Sequence, residues 1–342
     1  MKEFDENMMR RCIQLASNGL GNTYPNPLVG CVIVKDGEII AEGWHQKAGA
    51  PHAEVNAINQ IVNKEILKES TLYVSLEPCA HFGKTPPCAD LIVKYSIPKV
   101  VIGTVDPFAK VNGLGIQKLK NAETELILGV LEKESRELNK RFFTFHQEKR
   151  PYIILKWAKT ADGFISPLND KKKWITNEFS KQIVHKWRTE EQSILVGTKT
   201  AKVDDPQLNA RLWSGNQPIR LVLDKDMKLE RNLNLFDLSQ KSIVFTEKRA
   251  EDQENLQFET IAFDECLAEQ ILNKLYHMDI QSIIIEGGKQ TLETFIQKGL
   301  WDEARIFTSK ENWGEGVESP KINGELVETK MIQSDRLEIF KP

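Results

Sequence analysis

The first 146 residues alternate between two hydrophobic periods, one typical of helices and one typical of strands. Apolar residues recur on one helical face after Asp5, which we expect to cap a helix that runs to about Gly19. Asp36-Gly37 predicts a tight turn between two short apolar strands. The predicted strands are 28–34, 39–43, 71–75, 100–103 and 126–128, and the further predicted helices begin near Ala53 or cover 88–95 and 130–146.

The second half continues this alternation after a charged segment that ends in proline. Residues 147–151, Gln-Glu-Lys-Arg-Pro, predict a linker, because proline favours a new extended segment. Strands that alternate with helices are typical of α/β proteins, so we predict two α/β domains, 1–146 and 150–342. The predicted strands are 152–156, 194–197, 219–224, 242–246 and 282–286, and the predicted helices are 178–189, 267–277 and 291–298.

Composition argues against several classes of function. The chain has 46 basic and 49 acidic residues, and a net charge of -3 does not favour binding to nucleic acid through bulk positive charge. No apolar run approaches the ~18 residues that a membrane helix needs. The acidic N-terminus lacks the apolar core of a secretory signal, and five cysteines are too few for a disulfide framework. We expect a cytoplasmic protein without nucleic-acid or membrane partners, and we expect it to be a homo-oligomer.

One histidine and two cysteines form the strongest candidate chemical site. His52 precedes a predicted helix, Cys79 follows a predicted strand, and Cys88 begins another predicted helix. A catalytic zinc ion takes three protein ligands and leaves the fourth position for water, whereas a structural zinc ion takes four. Because no nearby cysteine completes a set of four, we predict a catalytic Zn²⁺ site. Glu54, in the first turn after His52, is the candidate catalytic residue that takes and returns a proton.

The alternative is that these side chains are ordinary core residues. We apply that interpretation to the remaining cysteines, which fall in apolar periodic stretches: Cys12, Cys31 and Cys266. For His52, Cys79 and Cys88 taken together, the metal interpretation is stronger, because the spacing of zinc ligands is demanding.

The candidate ligands resemble those of zinc-dependent nucleoside and nucleotide deaminases, whose signature is His-x-Glu followed by Pro-Cys-x-x-Cys. Here eight residues separate the two cysteines, in Glu77-Pro-Cys-Ala-His-Phe-Gly-Lys-Thr-Pro-Pro-Cys-Ala89. That longer segment, together with Pro25-Asn-Pro-Leu-Val-Gly30 and Gly43-Trp-His45, resembles the deaminase half of the bifunctional riboflavin-biosynthesis deaminase/reductase family. The resemblance implies a cytidine-deaminase-like α/β/α domain.

The same resemblance implies contacts with a pyrimidine that carries a ribose phosphate. Lys84 would lie near the phosphate, and Asn26 and His45 would hydrogen-bond the ring or its amino group. One departure follows a predicted strand, where Asp106-Pro107-Phe108 replaces the family's usual Asp-Pro-Asn. A polar contact is lost there, which leaves the role of Asp106 open.

The second half resembles the reductase half of that family, which is similar in fold to dihydrofolate reductase. No Gly-x-Gly-x-x-Gly fingerprint follows a first strand, which disfavours a standard dinucleotide-binding fold. Two departures are Lys172, in place of a small hydroxyl residue, and Thr160-Ala161, in place of Ser-Leu; the stretch after Phe307 matches poorly. The matching stretches run in the family order: 155–163, 173–176, 194–197, 200–208, Arg211, 218–220, Asp224 and 286–288.

Two sets of contacts follow from this second resemblance. It implies that five residues contact the substrate: Lys156, Arg188, Leu208, Arg211 and Glu286. The two arginines suit its phosphate, because a guanidinium group can bind phosphate through paired hydrogen bonds. It implies an NADPH site, with phosphate at a helix N-terminus, lined by Ala158, Trp174, Thr200, Asp204 and the run from Gly288.

The expected function is therefore a bifunctional enzyme of riboflavin biosynthesis. The resemblance implies deamination of 2,5-diamino-6-ribosylamino-4(3H)-pyrimidinone 5′-phosphate, followed by reduction of the ribosyl side chain with NADPH. One alternative is a cytidine, deoxycytidylate or tRNA-adenosine deaminase with an accessory domain, which leaves the ordered motifs of the second half unexplained. The other is a non-catalytic, zinc-stabilised protein that binds nucleotides or RNA, which calls for a fourth ligand and, for RNA, a basic face.

Overall fold

The chain forms two compact units, and the boundary between them falls between Glu148 and Lys149, inside the predicted linker. The structure is a computed structural model that describes residues 2–80, 86–108, 113–169 and 174–342. Each unit contains its own large β-sheet. Among the described residues, no helix combines the length and the apolar composition that crossing a bilayer requires.

The first unit is a five-stranded sheet with helices on both faces. The strands lie in the order β2-β1-β3-β4-β5; β1 is antiparallel to β2 and β3, whereas β3, β4 and β5 are parallel. The strands are β1 (Gly30–Lys35), β2 (Glu38–Trp44), β3 (Thr71–Leu76), β4 (Lys99–Thr104) and β5 (Glu125–Leu128). The helices are α1 (Lys2–Ser17), α2 (Ala53–Gln60), α3 (Cys88–Lys94), α4 (Leu114–Asn121), α5 (Glu132–Leu138) and α6 (Lys140–Glu148), with a 3₁₀ helix at Lys64–Glu69.

Alternation along the strands builds two separate cores in this unit. Val32 and Val34 of β1 face α1, where they pack with Met9 and Cys12. The intervening β1 residues face the opposite side, where they pack with residues of α2, α3 and α4, including Ala57, Ile92, Ile116 and Leu119. The first unit is therefore a three-layer α/β/α domain, as the sequence predicted.

The second unit is a nine-stranded mixed sheet. Its order is β11-β10-β9-β8-β12-β6-β13-β16-β15, parallel from β11 to β13 and antiparallel from β13 to β15. Strands β7 and β14 form a separate two-stranded antiparallel sheet. The strands are β6 (Tyr152–Lys159), β7 (Phe164–Ser166), β8 (Ser193–Val196), β9 (Ile219–Leu223), β10 (Ser242–Thr246), β11 (Leu256–Thr260), β12 (Ser282–Ile285), β13 (Glu303–Thr308), β14 (Val317–Glu318), β15 (Glu325–Ile332) and β16 (Asp335–Lys341).

Helices cover both faces of the second sheet. Helices α9 (Leu267–His277) and α10 (Lys289–Gln297) pack on one face, in a core that includes Leu155 and Ile285. Helices α7 (Glu178–Glu190) and α8 (Thr198–Asp204) pack on the other face, on which Ile154 and Ile284 lie. A short 3₁₀ helix spans Asn234–Phe236. Lys156 lies two residues after Ile154, and Glu286 lies two residues after Ile284. Because alternate residues of a strand point to the same face, both lie on the α7 side of the sheet.

The structure corrects several local predictions. Asp5 lies inside α1 rather than at its N-cap, and its carboxylate accepts a hydrogen bond from the Tyr73 hydroxyl at 2.7 Å. The single helix predicted over 130–146 is two helices that break at Asn139. Cys12 and Cys31 are buried as expected, but Cys266 is exposed, so treating it as a core residue was wrong.

The helix break at Asn139 has a clear cause. The buried Asn139 amide donates to the Leu28 carbonyl at 2.8 Å and accepts from the Leu28 N–H at 2.8 Å. This pair of bonds ties the α5–α6 junction to the segment that enters β1. Sequence periodicity could not reveal it, because the two residues are 111 positions apart.

We expect Asn139→Ala to lower the free energy of unfolding of the first domain by about 1–3 kcal/mol, because it leaves two buried backbone groups unpaired. Urea unfolding followed by circular dichroism measures the change. Asn121→Ala is the matched control, because Asn121 is exposed at the end of α4. Equal stability of the two variants would show that the Leu28 bonds contribute nothing.

Candidate active sites

Three elements of the first domain bring the predicted metal ligands together. His52 is the N-cap of α2, Cys79 follows β3, and Cys88 is the first residue of α3. The His52 Nδ1 atom lies 3.5 Å from the Cys79 Sγ and 3.4 Å from the Cys88 Sγ. The Cys88 N–H also donates to the Cys79 Sγ at 3.3 Å, so the start of α3 faces the other sulfur.

This donor set fits a zinc ion. Zn–N bonds of about 2.0 Å and Zn–S bonds of about 2.3 Å at tetrahedral angles separate nitrogen from sulfur by about 3.5 Å. The three ligand atoms all lie within 4.8 Å of one another, and in the part of the chain that the structure describes no fourth His, Cys, Asp or Glu joins this group. Three ligands without a fourth are typical of a catalytic metal site.

The ionisable groups here interact strongly. The Cys88 thiol and then His52 hydrogen-bond to Cys79 and lower the pKa of the Cys79 thiol, whereas the same pairing raises the pKa of Cys88. Hydrogen bonding to Cys79 raises the pKa of His52. Glu54 is 3% exposed, and burial raises the pKa of its carboxyl. A carboxyl group with a raised pKa is suited to exchanging protons near neutral pH.

Asn26 and His45 form a hydrogen-bonded pair beside this cluster. The His45 ring stands edge-on to the His52 ring, with centroids 5.3 Å apart. The His45 Nδ1 lies 3.1 Å from the Pro51 carbonyl oxygen, and its Nε2 lies 3.0 Å from the Asn26 amide nitrogen. A carbonyl can only accept, so Nδ1 carries the proton and Nε2 accepts from Asn26. Both ring nitrogens of His45 are thus engaged, and Asn26 keeps its amide oxygen for a ligand.

The remaining deaminase-side predictions have mixed outcomes. Lys84 lies outside the described residues. Phe108 packs with Leu76, Phe142 and Phe143, so an apolar contact stands where the family usually has an asparagine. Asp106 is buried, and burial raises the pKa of its carboxyl to about 7.

In the second domain, three of the predicted substrate residues meet. The Arg188 Nη2 donates to the Glu286 Oε2 at 2.9 Å, and the Lys156 Nζ lies 4.0 Å from the same oxygen. Burial lowers the pKa of Lys156. Burial alone would raise the pKa of Glu286, but Arg188 and Lys156 together hold it below its ordinary value.

This charged cluster has unused hydrogen-bonding capacity. The Arg188 Nε and the Glu286 Oε1 are both buried and find no hydrogen-bond partner among the residues that the structure describes. A buried polar atom without a partner is costly, so such a pair indicates a place where a polar ligand completes the hydrogen bonds. The Arg188 Nη1 already donates to the Asn209 carbonyl at 3.0 Å.

The other two predicted substrate residues are placed differently. The exposed Arg211 donates from Nη1 to the Asn209 side-chain oxygen at 2.9 Å, on the segment that Arg188 also holds. Leu208 is 2% exposed and packs in the core beneath α8, so its side chain is not on an open surface.

Sequence reasoning missed His185, which lies one turn before Arg188 on α7. His185 is buried, and its Nδ1 accepts weakly from the Leu212 N–H at 3.5 Å. Burial, and then Arg188 and Arg211, lower the pKa of His185 to about 4, so the ring is neutral at pH 7. The helical pattern of α7 gave no sign that this residue faces the cluster.

The residues predicted for the cofactor lie mainly at two strand–glycine–helix turns. Gly197 caps α8 after β8, and Gly288 caps α10 after β12. A Cβ at Gly288 would lie 3.3 Å from the Thr200 hydroxyl, so these two predicted residues are neighbours. Asp204 ends α8, Ala158 packs against the Phe307 cluster, and Trp174 is 58% exposed with the Lys181 Nζ 4.4 Å from its ring centroid.

Comparison with known families defines the class of protein. A model of the cytidine and deoxycytidylate deaminase zinc-binding region matches residues 2–104, and a model of the RibD C-terminal domain matches residues 151–335. Together with the two folds, these matches define a two-domain enzyme with a deaminase domain followed by a reductase domain.

Full-length relatives identify the family. A riboflavin biosynthesis protein RibD from Aquifex aeolicus is 41% identical over 322 residues, which cover 93% of this chain and 90% of the relative. The RibD of Escherichia coli K12 is 34% identical, with 89% and 87% covered. A Thermotoga maritima crystal structure, of a diaminohydroxyphosphoribosylaminopyrimidine deaminase/5-amino-6-(5-phosphoribosylamino)uracil reductase, is 38% identical with a TM-score of 0.91, covering 100% of this chain and 99% of that one. The chain belongs to the RibD family of riboflavin biosynthesis proteins, which confirms the resemblance found in its sequence.

We expect Cys79→Ser and Cys88→Ser each to reduce bound zinc well below one per chain, because each removes a thiolate ligand. Elemental analysis of purified protein measures this. Cys266→Ser is the control, since Cys266 is exposed and lies in the other domain. Full zinc occupancy in both ligand variants would show that the metal binds elsewhere.

Proposed function

We propose that the first domain removes the exocyclic amine of 2,5-diamino-6-ribosylamino-4(3H)-pyrimidinone 5′-phosphate by hydrolysis. The observation that carries the proposal is a His-Cys-Cys donor set beside a buried carboxyl, Glu54. His52, Cys79 and Cys88 would hold Zn²⁺, which makes a water molecule nucleophilic at neutral pH. The overall change is replacement of C–NH₂ by C=O, with water consumed and ammonia released.

Glu54 moves the protons in this reaction. Its raised pKa lets the carboxyl accept a proton from the attacking water and return it to the leaving amine. Asn26 orients the ring through its amide oxygen, because its amide nitrogen already donates to His45. His45 thus acts through Asn26 rather than by direct contact. Lys84 would bind the phosphate.

The second domain reduces the ribosyl group of 5-amino-6-(5-phosphoribosylamino)uracil to ribityl. The glycine-capped starts of α8 and α10, with Thr200 and Asp204, would hold the phosphates and ribose of NADPH, which would supply the hydride. Glu286 and Arg188 bind the polar side chain through the two buried atoms that lack partners. Arg211 contributes positive charge for the substrate phosphate.

Support for this assignment over its rivals comes from the whole chain. A cytidine, deoxycytidylate or tRNA-adenosine deaminase does not account for relatives that match both domains over 93% of this chain. A non-catalytic zinc protein does not account for the buried Glu54 beside three ligands. A cytoplasmic location and a homo-oligomeric state stay predictions, and measurement of molar mass by light scattering tests the second.

We expect Glu54→Gln to keep zinc but to slow ammonia release by about 10²–10⁴-fold, because an amide cannot accept and return a proton. Ammonia release from the diaminopyrimidine substrate is measured beside NADPH oxidation with the deaminated intermediate. NADPH oxidation is expected to stay normal. Glu69→Gln, at an exposed residue of the same domain, is the control. Near wild-type ammonia release by Glu54→Gln would remove Glu54 from the proton-transfer role.

We expect Arg211→Ala to raise the KM for the deaminated intermediate on the order of tenfold to a hundredfold, because it removes a charge-assisted contact with phosphate. Steady-state NADPH oxidation measures the effect, and ammonia release is expected to be unchanged. Arg249→Ala is the control, since Arg249 is an exposed arginine of the same domain. Normal reduction with impaired deamination would mean that the substrate contacts are assigned to the wrong domain.

A further inference from the structure

Glu77 opens the segment that carries the deaminase resemblance, yet the chemistry above gives it no role. It follows β3, lies two residues before Cys79, and is 4% exposed. A carboxylate withdrawn from water is stable only when hydrogen-bond donors replace the water. Its donors therefore show which parts of the domain depend on it.

Four backbone N–H groups donate to the Glu77 carboxylate. Its Oε2 accepts from Gly113 at 2.9 Å and from Asp106 at 3.3 Å. Its Oε1 accepts from Gly115 at 3.0 Å and from Ile116 at 3.2 Å. Gly113 caps α4, so the carboxylate also occupies a helix N-terminus, where unpaired N–H groups favour negative charge.

Close packing at Gly115 connects this carboxylate to the metal site. A Cβ at Gly115 would lie only 2.0 Å from the Pro78 carbonyl oxygen. The first turn of α4 thus rests directly on the backbone of the residue that precedes Cys79. Any shift of α4 would move the segment that carries this candidate ligand.

The Asp106 N–H, another of the four donors, links the same carboxylate to the segment that follows β4. Asp106 and Gly113 both lie on the connection between β4 and α4, and the N–H groups of both donate to the Glu77 Oε2. Asp106 is itself only 6% exposed.

We propose that Glu77 is a positioning residue of the deaminase site, whose carboxylate fixes the backbone at Asp106 and the start of α4 relative to Cys79. Glu77 makes no contact with substrate in this role. The inference rests on the proposed deaminase function, because it assigns Glu77 to that reaction. It predicts that charge and acceptor number at position 77 control the geometry of the metal ligands.

The test compares Glu77→Gln with Leu114→Ala in the full chain. Glutamine keeps the size of the side chain but replaces one acceptor oxygen with a donor, so two of the four N–H groups lose their acceptor. Leu114 begins α4 with a side chain that is 54% exposed, and its N–H is not among the four donors. Each protein is loaded with zinc for kinetics and with Co²⁺ for absorption spectroscopy, because thiolate-to-cobalt bands report the ligand geometry.

We expect Glu77→Gln to lower kcat for ammonia release by about tenfold to a hundredfold at full metal content, as displaced supporting residues of metal sites do. The cobalt bands should shift, while NADPH oxidation stays at the wild-type rate. Leu114→Ala should match wild type in all three. If Glu77→Gln does not accumulate as folded protein, Glu77→Asp, which keeps the charge but is shorter, is measured in the same way.

Two results would overturn the inference. One is a folded, metal-loaded Glu77→Gln protein with unchanged kcat and unchanged cobalt bands. The other is a lower melting temperature with kcat and bands unchanged, which would make the role of Glu77 purely structural. Failure of the proposed function is distinguishable from both, because the wild-type protein would then release no ammonia, while the cobalt spectra would still report on Glu77.

Discussion

Charged groups that leave water must find partners within the protein, and this requirement shapes both candidate sites. In the first domain, Glu54 and Glu77 are both nearly inaccessible to water beside the metal-ligand cluster. In the second domain, Lys156, Arg188 and Glu286 lie together with side chains that are only 11–15% exposed. Backbone donors compensate Glu77, and Arg188 with Lys156 compensates Glu286, whereas burial raises the pKa of the Glu54 carboxyl.

The two domains meet this requirement with different parts of their sheets. In the first, the end of β3 and the starts of α2 and α3 present Cys79, His52 and Cys88, so helix N-termini stabilise thiolate charge. In the second, side chains compensate one another's charge, but their hydrogen bonding is incomplete, because the Arg188 Nε and Glu286 Oε1 have no partner among the described residues. The first site is thus prepared for a cation, and the second for a polar organic ligand.

Sequence patterns predicted the structural features that depend on residues near one another in the chain, and they missed features that depend on residues far apart in the chain. The start of α3 at Cys88 and the bounds of α9 follow from local periodicity and agree with the structure. The break at Asn139 depends on Leu28, far away in the chain. Strand β15 was missed because it is an edge strand that exposes most of its residues and therefore lacks an apolar alternation. His185 and Leu208 are both buried by tertiary packing, which local periodicity could not predict. The contact of Leu208 with substrate stays a prediction.

Glu54 and Glu77 show that two chemically identical side chains can differ in what they can do, because their surroundings differ. Burial raises the pKa of the Glu54 carboxyl, which suits this group to exchanging protons near neutral pH. Glu77 accepts from four backbone N–H groups, which use its lone pairs and leave no room for a reacting molecule. A group that transfers protons must be able to change its hydrogen bonds during the reaction, whereas a group that holds a loop and a helix in place must not. Four fixed backbone donors therefore suit Glu77 to a supporting role, whereas Glu54 remains the residue proposed for proton transfer.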